Sequence, residues 1–471
     1  MTPAARIDIA AFSWKSALLQ IALIGATVSA SPGADLVSVA LALWALRGAL
    51  PALQSLSLFV VIRTLNPLLV HWGLISTSLS WALPFIVAIR ILPLITNAAL
   101  RVVLPIWLFS IVAISCSVLT SPAVAVSIMK AFSLAVIAAT VLVASSQLHG
   151  REVRVYGNWL VTLAVVVATL SLVTLVNPAI AHFPDTGLLQ GIFNQPQTLG
   201  SFLAPFSSFY LAHWLFRDGK IARSALACMT IVILCMLLTM SRNAAIATIL
   251  GVTVSLWPRR ANVASLQRSD IMKYLRLALL AVVAIVALQR AGGGVSSSVS
   301  NFILKRGETS VGEAFSESRG GGLISQLRNF ASSPIVGHGF GVYADGKFPT
   351  EIVKVAGIPV SAPVEKGVLP SAVLEETGVL GFGFFVYMIF LFTRNVWQTA
   401  KRPVLAMFCT CLLLNLGEAV LLSPGNVGLH LWLLIGWSMH SGNVGSGEES
   451  PVDLTPPPLG IAPRPFGNLL D

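Results

Sequence analysis

Charge is what this chain has least of. Only 10% of its 471 residues are Asp, Glu, Lys or Arg, against 55% that are hydrophobic. A soluble globular chain carries about 25% charged residues. The apolar surface here exceeds what one water-soluble core can hide, which excludes a soluble enzyme and a disordered chain. Cysteine is also scarce. Cys116, Cys228, Cys235, Cys409 and Cys411 are the whole set, and all fall inside apolar runs. That excludes a disulfide-rich secreted domain and argues against a metal site. Cys409 and Cys411 form a C-x-C pair, but residues two apart on a helix point to different faces, so they read as small packing residues. No signal-peptide cleavage pattern is seen, and the first apolar run is expected to stay as a span.

Long apolar runs are what the sequence has instead, with a mean hydropathy of +0.83. A helix needs about 20 apolar residues to cross a bilayer. Spans are predicted near 16–30, 33–50, 55–74, 79–97, 103–120, 123–145, 158–178, 198–216, 221–240, 243–257, 273–291, 371–393, 402–421 and 428–441. Pro67, Pro84 and Pro93 interrupt the first four, and Arg63 and Arg90 lie within them, so the range is twelve to fourteen. The expected fold is an all-α polytopic membrane protein with one large periplasmic loop. Its parts are a cytoplasmic N-terminus (1–15), a first bundle segment (16–291), the loop (292–370), a last bundle segment (371–441) and a proline-rich, disordered cytoplasmic tail (442–471).

The net charge of +11 sits mostly in short clusters between spans: Arg151 and Arg154; Arg217, Lys220 and Arg223; Arg259, Arg260, Arg268, Lys273 and Arg276; Arg394 to Arg402. The positive-inside rule places these loops and both termini in the cytoplasm. The clusters lack the interleaved aromatics of a nucleic-acid surface, so nucleic acid is not an expected partner. The 292–370 segment differs. Its charges nearly balance, and Phe302, Leu323, Leu327, Phe330, Phe340 and others make it too apolar for a linker. Loops of this length inside compact proteins are usually functional.

Four polar signatures stand at the extracytoplasmic ends of spans. Gly191 to Gly200 reads G-I-F-N-Q-P-Q-T-L-G, with Pro196 suited to a first helical turn and Asn194 to the cap before it. Asn194 and Gln197 would offer amides to an anionic or sugar ligand. Thr239 to Ala244 reads T-M-S-R-N-A. Ser241 is a candidate cap, and Arg242 is a cation where the positive-inside rule disfavours one; snorkelling to headgroups is the plain alternative to anion binding. In the long loop, Arg319 precedes three glycines, and Leu323, Leu327 and Phe330 recur at helical spacing. This predicts a short amphipathic helix, carrying Arg328, whose apolar face rests on the membrane or on the bundle. A glycine-rich start beside an arginine suits a phosphate. Pro334 to Gly341 follows as P-I-V-G-H-G-F-G, where His338 is either a general base or a turn residue. The fourth signature runs from Glu365 and Lys366 to Leu374-Glu375-Glu376-Thr377-Gly378. Carboxylates at a membrane edge usually face a polar cavity; the plain reading of Glu375 and Glu376 is a favourable place near a helix N-terminus.

In this order and spacing the segments resemble the O-antigen ligase and O-antigen polymerase family of bacterial membrane glycosyltransferases. The matching pieces are the 191–200 segment, S-R-x-A at Ser241 to Ala244, the S-R start at Ser318 and Arg319, P-x-x-G-x-G-x-G at 334–341, and L-x-E-T-G at Leu374 to Gly378. The resemblance covers roughly 185–395. It implies an inner-membrane enzyme that takes an undecaprenyl-diphosphate-linked glycan donor and a glycan or lipid A–core acceptor, with no metal or other cofactor. Polysaccharide assembly and chain-length proteins are implied as partners beside membrane lipid. Carried over by position, Arg242 and Arg319 hold the donor diphosphate and the 334–341 run shapes the cavity. Ligases of the family usually carry a histidine in an H-N-x-Y-L stretch about nine residues before the glutamate. Here that stretch holds Glu365, Lys366 and Gly367. The missing histidine favours a polymerase of O-antigen, capsule or exopolysaccharide over a ligase. His338, Glu365 and Glu376 are then the candidate bases. Lys366, Arg328, Gln197 and Asn194 are further candidate substrate contacts. A transporter of lipid-linked oligosaccharide is the rival from another class. It would account for Arg63, Arg90 and Lys130 inside spans, but no internal repeat is visible.

Overall fold

The structure, a computed structural model, describes residues 11–216, 222–257, 320–346, 353–355, 358–361 and 366–442. Helices dominate: α1 (Trp14–Ser29), α2 (Ser31–Ala45), α3 (Ala49–Arg63), α4 (Leu74–Ile91), α5 (Asn97–Thr120), α6 (Val124–Ser146), α7 (Arg151–Val173), the short α8 (Pro178–Ala181), α9 (Pro196–Phe216), α10 (Arg223–Leu238), α11 (Arg242–Leu256), α12 (Gly321–Ser332), α13 (Leu369–Thr399), α14 (Arg402–Leu413) and α15 (Asn426–His440). The described strands are β1 (Val353–Val355) and β2 (Ile358–Ser361), a small antiparallel pair in the long loop.

Five of the described helices are long and apolar enough to cross a membrane: α4 with its 3-10 extension (Leu74–Leu94), α5, α6, α7 with its extension (Arg151–Val176), and α13. The chain is an all-α membrane protein. The predicted spans fall on helices, with three corrections. The 33–50 run ends at Ala45, and a turn at 46–48 leads into α3. The 55–74 run ends at Arg63, because Asn66 bends the chain ahead of Pro67: its Oδ1 accepts the Leu68 N–H (3.0 Å) and its carbonyl the Leu69 N–H (2.8 Å). The 402–421 run stops at Leu416, where the Asn415 Oδ1 accepts the N–H groups of Val420 and Leu421 and holds a non-helical turn. The predicted span 273–291 and the tail beyond 442 lie outside the described residues.

The core is built from whole helices rather than from stripes. Trp432, Trp437, Phe193, Phe202, Phe206 and Phe408 are among the largest fully buried side chains. Their polar atoms find backbone partners: the Trp437 indole donates to Val153 O (3.0 Å) and the Trp432 indole to Leu421 O (2.8 Å). All five cysteines are buried and none forms a disulfide.

Chain direction decides which connections share an end. The turn between α5 and α6, residues 121–123, stands at one end of the bundle; α6 runs away from it and α7 returns. The loop after α7 therefore lies at the same end as residues 121–123. There the end of α3 pairs with that loop, since the Asn66 N–H donates to Ile192 O (2.8 Å) and the Asn194 N–H to Thr64 O (2.9 Å). The α10–α11 turn and the start of α13 belong to this end too. The opposite end carries the α6–α7 and α13–α14 connections, with Arg151, Arg154, Arg394, Lys401 and Arg402.

Candidate functional site

The strongest local feature is a break in α13. Gly378 has φ 62° and ψ −167°, so the helix is interrupted there. A break orphans backbone groups on both sides, and buried orphans are costly. Residues 334–339 satisfy four of them. The N–H groups of His338 and Gly339 donate to Glu375 O and Glu376 O (both 2.9 Å), and the Val379 and Leu380 N–H groups donate to Pro334 O (2.8 Å) and Ile335 O (3.3 Å). Two segments that the sequence keeps some forty residues apart are thus spliced into one backbone unit.

The alternating glycines explain how the splice fits. Gly337, Gly339 and Gly341 all have positive φ, at 70°, 106° and 67°. Each meets a different element. A Cβ at Gly337 would overlap the backbone of Glu376 and Thr377, one at Gly339 would overlap Ser121, and one at Gly341 would overlap the Lys130 stem. Between them, the Phe340 N–H donates to Ser117 Oγ (2.9 Å), and its ring packs edge-on against Phe109. The run is a keystone between α5, α6 and α13.

Four charges surround this keystone. The Lys366 ammonium lies 2.9 Å from Glu375 Oε2 and 3.2 Å from Glu376 Oε1. All three residues are buried, at 6%, 2% and 7% exposure. Asn329 of α12 donates to Glu375 Oε1 (2.8 Å), and the Tyr343 ring stands 5.9 Å from the ammonium. Lys130 donates to Gly341 O (2.6 Å) and is attracted by Glu376. One ammonium group thus bridges two carboxylates, and a second lies near them on the Gly341 carbonyl. The acidic pair does not sit in the first turn of α13, as expected from the sequence; it closes the first half of the helix, just before the break.

His338 is held at the same place. Its Nε2 lies 2.9 Å from Asn329 O and 2.9 Å from Ser332 Oγ. A carbonyl only accepts, so in the neutral ring Nε2 carries the proton and Nδ1 is the basic nitrogen. The imidazole therefore also seals the last turn of α12.

A second corner stands at the same end of the bundle, where α9 and α11 start. Gly200 of α9 packs on Thr239 and Ser241, bringing the first two signatures together. Met240 has φ 50°, an uncommon conformation for a residue with a side chain, and reverses the chain between α10 and α11. Ser241 occupies the cap position of α11 but makes no side-chain cap hydrogen bond. Arg242 follows at the first helical position. Its Nε is buried without a hydrogen-bond partner among the described residues. Asn243 donates to Leu414 O (2.7 Å) and ties the corner to the 3-10 turn that follows α14. Asn194 is not the cap of α9, which begins two residues later at Pro196; its Oδ1 is buried without a partner among the described residues. Gln197 is exposed on the first turn of α9.

The structure thus gathers His338, Glu376 and Lys366 in one corner and Asn194, Gln197 and Arg242 in the other. Arg328 is exposed on α12. Arg319 and Glu365 lie outside the described residues. Lys130 and Asn329 were missed as site residues; a lone lysine in an apolar run was the available signal for the first. Among the described residues no group of three or more His, Cys, Asp or Glu could hold a metal ion. No family model and no curated protein matches the chain.

Proposed function

We propose that the protein is a membrane glycosyltransferase that polymerises undecaprenyl-diphosphate-linked oligosaccharide repeat units on the outer face of the bacterial inner membrane. The observation that carries the reading is the splice. The 334–341 and 374–378 segments, on which much of the family resemblance rests, are hydrogen-bonded to one another around buried Lys366, Glu375 and Glu376. At the same end the Arg242 Nε has no hydrogen-bond partner among the described residues. The basic residues of the opposite end support a cytoplasmic placement of that end, with the site turned outward.

In the proposed reaction an acceptor hydroxyl attacks the anomeric carbon of the donor. The new oxygen–carbon bond forms as the carbon–oxygen bond to the diphosphate breaks, and undecaprenyl diphosphate leaves with inversion. Arg242, with Arg319, offsets the charge that grows on the leaving group. His338 Nδ1 takes the hydroxyl proton, since Glu376 is already engaged by Lys366; such a base is worth roughly 10²–10⁴-fold. The break in α13 favours a second reading, a lipid-linked oligosaccharide transporter, because broken helices line transporter sites. However, the four backbone groups at this break are taken by residues 334–339 and are not offered to a ligand.

The deciding experiment is the glycan profile of a deletion strain, with lipid-linked intermediates resolved by mass. Single repeat units on lipid A–core or on the carrier are expected. Full-length polymer stranded on the carrier, with bare core, would replace the polymerase by a ligase. Repeat units held on the cytoplasmic side would replace both by the transporter.

A further inference from the structure

The amphipathic helix α12 has three faces. One is fixed to the first half of α13 by polar contacts: Ser371 Oγ donates to Gln326 Oε1 (2.5 Å), and Asn329 donates to Glu375. A second carries Ser325, Arg328 and Ser332, all exposed. The third carries Ile324 and Leu327, which are 58% and 46% exposed although apolar. The bundle does not cover this third face.

The adjoining surface says what does. Beyond the break, α13 leaves Val379, Leu380, Gly383, Val386, Tyr387 and Phe390 exposed at helical spacing, an almost wholly apolar stripe of the kind a crossing helix turns to lipid. At about 1.5 Å per residue, residues 379–393 cover about 22 Å of the roughly 30 Å bilayer core, and Arg394 beyond them reaches the headgroups of the far leaflet by snorkelling. The hydrocarbon boundary at the site end therefore falls near Gly378. Ile335, 69% exposed, is hydrogen-bonded through its carbonyl to Leu380 at that boundary. It carries the lipid-facing stripe of α13 onto the segment that leaves α12.

We infer that α12 is bedded in the leaflet at the site end, with Ile324, Leu327 and Ile335 in the acyl chains and Ser325 and Arg328 in water. An apolar strip opposite a polar one, with a cation among headgroups, is how interfacial helices bind. The helix then supports Glu375 from the lipid side through Asn329. The inference stands whichever reaction the site performs.

Nitroxide labels test it. Single cysteines are placed at Ile324, Leu327, Ile335, Ser325 and Arg328 in the full chain, with the five native cysteines changed to alanine. The protein is reconstituted in vesicles of phosphatidylethanolamine and phosphatidylglycerol. Collision with oxygen, which dissolves in lipid, is compared with collision with a water-soluble nickel chelate. A several-fold higher oxygen-to-nickel ratio at 324, 327 and 335 than at 325 and 328 is expected. Equal nickel access at all five sites overturns the inference in favour of a water-exposed helix. Exclusion of both agents from 324 and 327 overturns it in favour of a protein cover. If the cysteine-free chain does not fold, a benzophenone side chain at position 324 of the otherwise native protein gives the same decision: a lipid adduct supports the inference, and a protein cross-link or no adduct overturns it.

Discussion

Two corners share one end of this bundle, and their charges are arranged in opposite ways. Around the keystone, Lys366 is held between Glu375 and Glu376, and Lys130 is bound to the Gly341 carbonyl. At the starts of α9 and α11, the Arg242 Nε and the Asn194 Oδ1 are buried with no partner among the described residues. In the first corner the carboxylates already hold Lys366 by ion pairing, and Lys130 is bound to a carbonyl. In the second, an arginine with an Nε donor unsatisfied among the described residues stands beside a helix start that its cap residue leaves unsealed, an arrangement open to an anion. The first corner holds the architecture and positions His338; the second is the better place for a diphosphate.

That division gives the two corners different responses to mutation. The largest loss of stability is expected from Lys366→Met. It leaves two carboxylates buried without their cation, and breaking a buried pair in this way costs about 3–5 kcal/mol. Thermal unfolding of the purified protein in detergent reads the change. Adding Glu375→Gln to Lys366→Met should return most of the loss, because the remaining carboxylate, Glu376, is then balanced by Lys130. An unchanged midpoint for Lys366→Met would mean that the ions are solvated, and the contrast between the corners would fail.

The next effect belongs to the splice. Gly378→Ala puts a methyl group against the backbone of Ile335 and asks alanine to hold a left-handed conformation. Roughly 1–3 kcal/mol is expected from the conformation and roughly 1–3 kcal/mol from the overlap. Gly383 lies five residues further along the same helix, with nothing within 4 Å of where its Cβ would stand. Gly383→Ala should therefore raise stability by about 0.5–1 kcal/mol. Opposite signs in the same unfolding assay would isolate the break as the cause. A loss at both positions would point to the helix as a whole.

The helices of this fold were largely visible in the sequence, because long apolar runs dictate them and the periodicity at Leu323, Leu327 and Phe330 announces α12. What it hid is tertiary. Nothing local says that the carbonyls of Glu375 and Glu376 will be met by the N–H groups of His338 and Gly339, or that the glycines at 337, 339 and 341 answer to three different elements. The two glutamates were read as acids near a helix start because the break at Gly378 could not be foreseen. Their real setting is the end of a half-helix. Lys130 shows the same limit. Its partner, the carbonyl of Gly341, is 211 residues away. For Asn194 the error was one of register, since Pro196 starts the helix and the cap position falls to the residue between them.

The smallest change in stability and the largest in function should come together at Arg242. Its Nε satisfies nothing in the described fold, so Arg242→Ala should shift the unfolding midpoint by no more than about 0.5 kcal/mol, as for substitutions away from structural features. Polymer formation should be lost at an unchanged protein level. Arg242→Lys separates charge from geometry. Lysine keeps the cation but not the planar fork that grips a phosphate with paired donors, so it should recover little polymer. Full recovery by lysine would reduce Arg242 to an electrostatic role. Normal polymer in the alanine variant would remove it from the site, and the diphosphate would have to be sought at the first corner after all. If Arg242→Ala instead destabilised the fold as strongly as Lys366→Met, the two corners would be alike, and the unpaired donor would be no guide to where the ligand binds.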